Sequence, residues 1–266
     1  MLIIGEKINA TRRKIKKIVL EKNENKLIDL ARKQVNSGAN YVDVNVATGI
    51  GTVEDEIASM KWAVEIIQKE IDKPLCIDSA DPEVIKAGLS AVDNKTPMIN
   101  STTAETESLD SFIPIAKEYN TPLVALAMDD SGIPKTYDAR IEACKKIASF
   151  CEKYDFSLEN ILFDALVIPV STDANQGIIT LKTISAIKDY FPKSKTVLGL
   201  SNISYGLPGR MNINIAFLNM AVYAGLDAAI CDPMNDDLKV GIASAEALLG
   251  KDRHFRRYMR LTRKLY

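Results

Sequence analysis

Cys76-Ile77-Asp78-Ser79 and Met98-Ile99-Asn100-Ser101, with Leu162-Phe163-Asp164-Ala165 and Gly199-Leu200-Ser201-Asn202 further on, are short apolar runs that each end on a carboxylate or a carboxamide. In an eightfold βα barrel the C-terminal strand ends converge on one mouth, so these distant residues would become one ring of polar groups around one pocket. That ring is the expected site.

Outward from these four runs, apolar strand-like stretches alternate with helical patterns, and no Pro-, Gly- or Ser-rich linker divides them. Strands are expected near residues 2–4, 41–46, 75–77, 98–99, 123–127, 161–163, 196–200 and 228–230. Ile57, Met60, Val64, Ile67 and Ile71 recur at three- and four-residue steps, one apolar helical stripe against the barrel. Asp81-Pro82-Glu83 suits a helix start: a capping Asp, a Pro at the first helical position and an early Glu. In the fifth helix Ile141, Cys144, Ala148 and Cys151 share a face, which makes both thiols core. The alternation also fits an open doubly wound sheet. Eight repeats and the absence of G-x-G-x-x-G favour the barrel. The 266 residues are close to the roughly 250 of one such barrel. The expectation is therefore an α/β fold, a single (βα)8 TIM barrel over residues 1–266, with 251–266 as a basic C-terminal extension.

Lys plus Arg number 34 against 35 Asp plus Glu, so no global field favours nucleic acid or an anionic membrane. A small molecule is the expected target. The apolar start is too short for a signal peptide and no stretch approaches the roughly 20 apolar residues of a membrane span, so a cytoplasmic protein is expected. Cys76, Cys144, Cys151 and Cys231 form no C-x-x-C pair, and a single histidine makes a Cys/His metal site hard to build. Reduced core thiols and no metal are expected.

Gly5-Glu6-Lys7-Ile8-Asn9, Asp43-Val44-Asn45-Val46, the two runs quoted first, Gly132-Ile133-Pro134, Thr196-Val197-Leu198-Gly199 and Gly225-Leu226-Asp227-Ala228-Ala229 occur in an order and spacing that resembles the pterin-binding methyltransferases. The chain is similar, over nearly its whole length, to the methyltetrahydrofolate:corrinoid protein methyltransferases. That resemblance implies a tetrahydrofolate-type pterin as substrate, a corrinoid (cobalamin) carried by a separate partner protein, and a homodimer. It matches Asp78, Asn100 and Asp164 to positions that hydrogen-bond the pterin ring. Their chemistry suits the role without the analogy, since carboxylates take the ring's N–H donors and a carboxamide serves donors and acceptors alike. Asp78 and Asp164 could instead cap helices or hold a divalent cation, but Asn100 between them suits an organic ring better.

Asn202 is the expected catalytic residue. A methyl group leaves a tertiary ring nitrogen reluctantly, and an amide that donates a hydrogen bond there would stabilise the transition state more than the ground state. The resemblance places an asparagine with this role here; local chemistry alone also allows an Asx-turn. The amide is no proton source, so a water or carboxylate chain is implied, with Asp43, Asn45 and Asp164 as members. Ser201 and Arg210 lie where the resemblance implies contacts to the pterin and to its carboxylate-bearing tail, Arg210 alternatively sitting on a solvated helix start. Lys7 and Lys135 do not suit a Schiff base, Lys7 reading as solvated or hydrogen-bonded. Asp129 and Tyr205 stand where amide side chains are expected, departures that alter the mouth's charge and one side contact. Lys251, Arg253, Arg256, Arg257, Arg260, Arg263 and Lys264 against one Asp252 read as a solvated terminal helix or as a docking patch for an acidic corrinoid protein.

Two alternatives stand beside this reading. A dihydropteroate synthase-like enzyme would share barrel and pocket, but would need cationic groups where the chain has Leu200-Ser201-Asn202 and Cys231-Asp232-Pro233. A non-catalytic pterin-binding subunit would lack turnover. There is no room for a cobalamin domain, and His254 is outside a D-x-H-x-x-G context.

Overall fold

Strand β1 spans Leu2–Asn9 and runs through the charged pair Glu6-Lys7 that had seemed to follow it. A register shift between Gly5 and Ile8 absorbs that pair, so the strand reaches the barrel rim despite its two charges. In the computed structural model, which describes residues 1–93 and 95–265, β1 is followed by two helices, α1 (Arg13–Leu20) and α2 (Glu24–Asn36). Strand and helix then alternate: β2 (Tyr41–Asn45), α3 (Val53–Gln68), β3 (Leu75–Asp78), α4 (Pro82–Ser90), β4 (Met98–Thr102), α5 (Thr106–Glu118), β5 (Leu123–Leu126) and α6 (Tyr137–Lys153). The second half holds β6 (Ile161–Asp164), α7 (Gln176–Tyr190), β7 (Lys195–Gly199), α8 (Arg210–Ala224), β8 (Ala228–Cys231), α9 (Asp236–Leu248) and α10 (Arg256–Leu265). The eight strands pair in sequence order, all parallel, and β8 closes on β1. This is a (βα)8 barrel.

Pairing sets the level of each side chain. Asn45 lies beside Asp78, Asp78 beside Asn100, and Leu126 beside Asp164. Inside the barrel Ile4, Cys76, Met98, Val124, Leu162, Val197 and Ala228 form one buried apolar layer. Side chains return to the same face every second residue, so two positions on stand Glu6, Asp78, Asn100, Leu126, Asp164, Gly199 and Ile230. A mainly apolar layer, broken by Asp43 at the level of Cys76, thus underlies a rim whose polar members are Glu6, Asp78, Asn100 and Asp164.

The helices bury one stripe each against the outside of the barrel. In α3 this is Met60, Val64 and Ile67, while Ile57 is half-buried and Ile71 lies beyond the helix end. The face expected in a fifth helix belongs to α6, the sixth, because β1 is followed by two helices; Ile147 is buried there and Ala148 only half-buried. Asp81 caps α4 through the N–H groups of Glu83 and Val84, with Pro82 at the first helical position. All four cysteines are free and buried.

The basic helix α10 packs on α9. Arg257 and the Met1 ammonium both pair with buried Glu246. Met1 directly precedes β1 at its foot, so Arg257 is tied to the end of the barrel opposite the mouth. Tyr266 of the expected extension lies outside the described residues. Among those residues, no helix is long and apolar enough to cross a membrane.

Candidate active site

Four of the expected residues meet on the β2–β4 arc. Asn100 Nδ2 donates to Asp43 Oδ1 at 3.2 Å. Asp43 is buried at the level of Cys76, one layer beneath Asp78, and the two carboxyls hydrogen-bond one another. Burial pushes the Asp43 carboxyl well above the usual carboxylate range, and the charge of Asp78 adds to this. Asp78 is raised to about 6, chiefly by burial, while hydrogen bonds from Asn45 and Asp43 pull it back. Burial and mutual repulsion therefore push both carboxyls toward the protonated form, Asp43 more than Asp78, and the hydrogen bond between them favours charge on Asp78.

Asp164 stands across the opening at the end of β6, buried to 8% exposure. Burial raises its carboxyl to about 6; the Leu166 N–H, which donates to Oδ1 at 2.8 Å, and the nearby Arg140 charge act in the opposite direction. Leu166 adopts a left-handed backbone, φ 60°.

The third part of the ring is a short turn after β7. Gly199 occupies the inward position, and the Asn202 amide nitrogen lies 3.2 Å from where a Cβ on that glycine would stand. The missing side chain is what lets the amide lie over the rim. Asn202 is exposed, and its side chain makes no hydrogen bond among the described residues, so the Asx-turn is not formed. Ser201 Oγ donates to Glu6 at 3.1 Å, and Glu6 also pairs with Arg12 at 3.0 Å. Arg210 Nε donates to Ser204 Oγ at 3.0 Å and Nη2 to the Ser201 carbonyl, with the guanidinium 5.9 Å from the Tyr205 ring centroid. Arg210 thus braces the loop that carries Asn202.

The remaining expectations also find places. Lys7 bonds Asp232 at 2.7 Å, a partnered rather than a reactive amine. Lys135 is exposed. Asp129 accepts from the Ser131 N–H at 3.0 Å and its hydroxyl at 2.6 Å, which hold its carboxyl below the ordinary range, so its extra charge is satisfied within its own loop. Among the described residues, no group of three or more His, Cys, Asp or Glu is arranged to hold a metal ion.

Sequence reasoning passed over Glu6 and Arg140. Glu6 sat within a quoted motif, but only the extended β1 shows that it reaches the rim. Arg140 lies in the stripe Arg140, Cys144, Ile147, Cys151 at four- and three-residue steps. A charged member of a buried stripe was the available signal.

The site can accept a flat, donor-rich ring. Asp78 and Asp164 take N–H groups, Asn100 serves both signs, the floor is mainly apolar, and one uncommitted amide waits at the open rim.

The family model described as pterin binding enzyme matches residues 5–232. The chain is 35% identical over 267 residues, 99% of its own length and 97% of the relative's, to the methylcorrinoid:tetrahydrofolate methyltransferase of Eubacterium limosum. It is 29% identical over 243 residues to the methionine synthase of Mycobacterium tuberculosis, spanning 20% of that enzyme. Among solved structures it resembles the dihydropteroate synthase of Stenotrophomonas maltophilia, with TM-score 0.70, 18% identity and 95% and 93% of the two chains covered. The dihydropteroate synthase of Coxiella burnetii in complex with pteroic acid gives TM-score 0.66 at 17% identity, with 93% of each chain covered. These two likenesses concern the fold.

Proposed function

The chain belongs to the pterin-binding enzyme family, and from that premise we propose that it is a methyltransferase moving a methyl group between tetrahydrofolate and the corrinoid of a separate protein. Residues 1–266 act as one pterin-binding barrel. One observation carries the reading: a hydrogen-bonded Asp43–Asp78–Asn100 cradle faces Asp164 across the mouth, beside an exposed amide.

In this reading Asp78, Asn100 and Asp164 bind and orient the pterin, Asp43 and Asn45 fix Asp78, and Ser201 and Arg210 hold the β7 loop. Asn202 donates a hydrogen bond to the ring nitrogen as its methyl departs. The bond strengthens as electron density collects on that nitrogen, so it acts mainly in the transition state. Departure of the methyl leaves the nitrogen needing one proton, which reaches it through water and the carboxyls of the ring. The corrinoid supplies the cobalt that takes or gives the methyl. Exposure of Asn202 suits a cofactor brought by another protein, because among the described residues the amide stays open to solvent.

A dihydropteroate synthase activity fits less well. The ends of β7 and β8 offer Ser201-Asn202 and Asp232, Asp232 already pairs with Lys7, and the Arg210 guanidinium is engaged with Ser201 and Ser204 in bracing the loop, so a diphosphate leaving group is poorly served there. We assign the protein to the cytoplasm and to a homodimer. The large apolar side chains exposed on α7 and α8, Ile178, Tyr190, Met220 and Tyr223, are the face given to the second copy. Light scattering at micromolar concentration checks this; a monomer would overturn it.

The deciding experiment mixes the protein with methyltetrahydrofolate and cob(I)alamin and follows the cobalt absorbance. Protein-dependent methylation of cobalt is expected. Tight pterin binding without turnover would leave a binding subunit, and absence of binding would overturn the reading altogether.

A further inference from the structure

Arg140 is the largest fully buried side chain described, at 0% exposure, and no carboxylate forms an ion pair with it. Burying an unpaired guanidinium is costly unless every donor is used. Here all three nitrogens donate, and two of the acceptors are consecutive carbonyls of the chain after β6. Nη1 donates to the carbonyls of Ala165 and Leu166 at 3.0 and 2.9 Å and to Thr180 Oγ1 at 3.1 Å. Nη2 donates to Gln176 Oε1 at 2.8 Å, and Nε to the Pro134 carbonyl at 3.0 Å. Ala165 and Leu166 directly follow Asp164.

Leu166 is therefore fixed from three directions. Its N–H donates to Asp164, while its carbonyl accepts from Arg140 and from Thr180 at 2.8 Å. A non-glycine residue at φ 60° persists only where its surroundings over-determine it, and these bonds do so. The same contacts lock the Asp164 carboxylate in one orientation toward the mouth.

We propose that Arg140 is a positioning residue of the pterin site, which clamps the backbone after β6 and supplies the one positive charge that keeps Asp164 ready to accept a pterin N–H. The proposal rests on the pterin-binding reading above. Cys144, also on α6, is a buried thiol that burial keeps neutral. Gln176 joins the guanidinium to the Asp173 carboxylate and the Lys135 backbone carbonyl, and Asp78 is the titrating carboxyl across the mouth. Without Arg140, burial would act on Asp164 opposed only by the Leu166 N–H.

The test is a titration of methyltetrahydrofolate binding across pH in four proteins: wild type, Arg140→Gln, Asp164→Asn and the double variant. Wild-type affinity should fall as pH drops through about 6, where Asp164 and Asp78 gain protons, and the Asp164 share is the part that Asp164→Asn removes. Arg140→Gln removes the charge and should move the Asp164 midpoint upward, lowering affinity severalfold near pH 6 and little well above it. In the Asp164→Asn background the same change should have little further effect, because Arg140 acts through that carboxylate. An unchanged midpoint in Arg140→Gln, or losses that multiply in the double variant, would overturn the proposal. Should Arg140→Gln fail to fold, Arg140→Lys replaces it. It keeps a charge but cannot span both carbonyls, so it should weaken binding severalfold in the Asp164 protein and leave it unchanged in the Asp164→Asn protein. Equal loss in both would overturn the proposal. Failure of the wild type to bind methyltetrahydrofolate would instead strike the function assigned above.

Discussion

On the β2–β4 side of the mouth, Asp43, Asn45, Asp78 and Asn100 are buried or half-buried and already bonded to one another, whereas on the β7 side Asn202 stands exposed with its amide unbonded. Groups of the first kind lose little entropy when a ring docks, so they serve recognition. A donor of the second kind is worth little until charge develops in front of it, so it serves the chemical step. The contrast assigns affinity to one side of the mouth and rate to the other.

The largest effect expected from that division is on rate. Asn202→Ala should slow methyl transfer by roughly 10–1000-fold, the range for removing one donor aimed at developing charge, with a smaller effect on pterin affinity. Single-turnover cobalt spectroscopy and a binding titration separate the two. A wild-type transfer rate in the variant would end the proposed role of the amide. On the other side, Asp78→Ala or Asn100→Ala should weaken pterin binding by about 1–3 kcal/mol, the scale of an unpaired buried polar group. Unchanged dissociation constants in both would break the contrast.

A third expectation concerns the empty enzyme. Asp78 and Asp164 are raised to about 6 from 3.8. Between these values the folded chain holds protons that the unfolded chain has released, so stability falls as pH rises through the window, and the loss is complete above about 6. Asp164→Asn removes one ionisation. It should stabilise the unliganded protein by about 1–3 kcal/mol at neutral pH and change little near pH 4, while weakening pterin binding. Denaturant unfolding at the two pH values checks this, and a gain of equal size at both would contradict the linkage.

The smallest effect separates the mouth from the foot. Arg257 is tied to Glu246 beside Met1, so Arg257→Ala should cost stability on the scale of a partly exposed pair, about 0.2–1 kcal/mol, and leave the association rate with a corrinoid protein unchanged. Neutralising Arg256 and Arg260 should lower that rate and its salt sensitivity if α10 steers the partner. Stopped-flow association across ionic strength reads both.

The barrel was legible because most strands are short apolar runs, several ended by a carboxylate or carboxamide, a pattern that local chemistry writes directly into the sequence. All eight strands begin within one residue of the expected positions, and β1 runs five residues further than its apolar start. What stayed hidden depends on level rather than identity. Asp43 and Asp78 each read as a solvated acceptor, and only strand pairing, which seats Asp43 beside Cys76, shows that it is buried beneath Asp78 and pushed above the usual carboxylate range. The reach of β1 was hidden by Glu6 and Lys7, because charged residues normally end a strand and here they line its rim. Arg140 was hidden by its own charge, which suggests a solvated face; its targets are backbone carbonyls, and these leave no trace in residue identity.

The register that seats Asn45 beside Asp78 and Asp78 beside Asn100 also limits how this chain can change length. In a closed barrel no strand can slide without disturbing every neighbour, and losing or gaining one residue inside β2, β3 or β4 would turn the following side chains to the opposite face. Such an indel would point Asp78 or Asn100 into the helical layer and leave apolar groups at the mouth. Connections carry no such constraint, and the turn between α2 and β2 can lengthen at little cost. Descendants of this chain should therefore vary in length between their strands and keep β2, β3 and β4 at constant length.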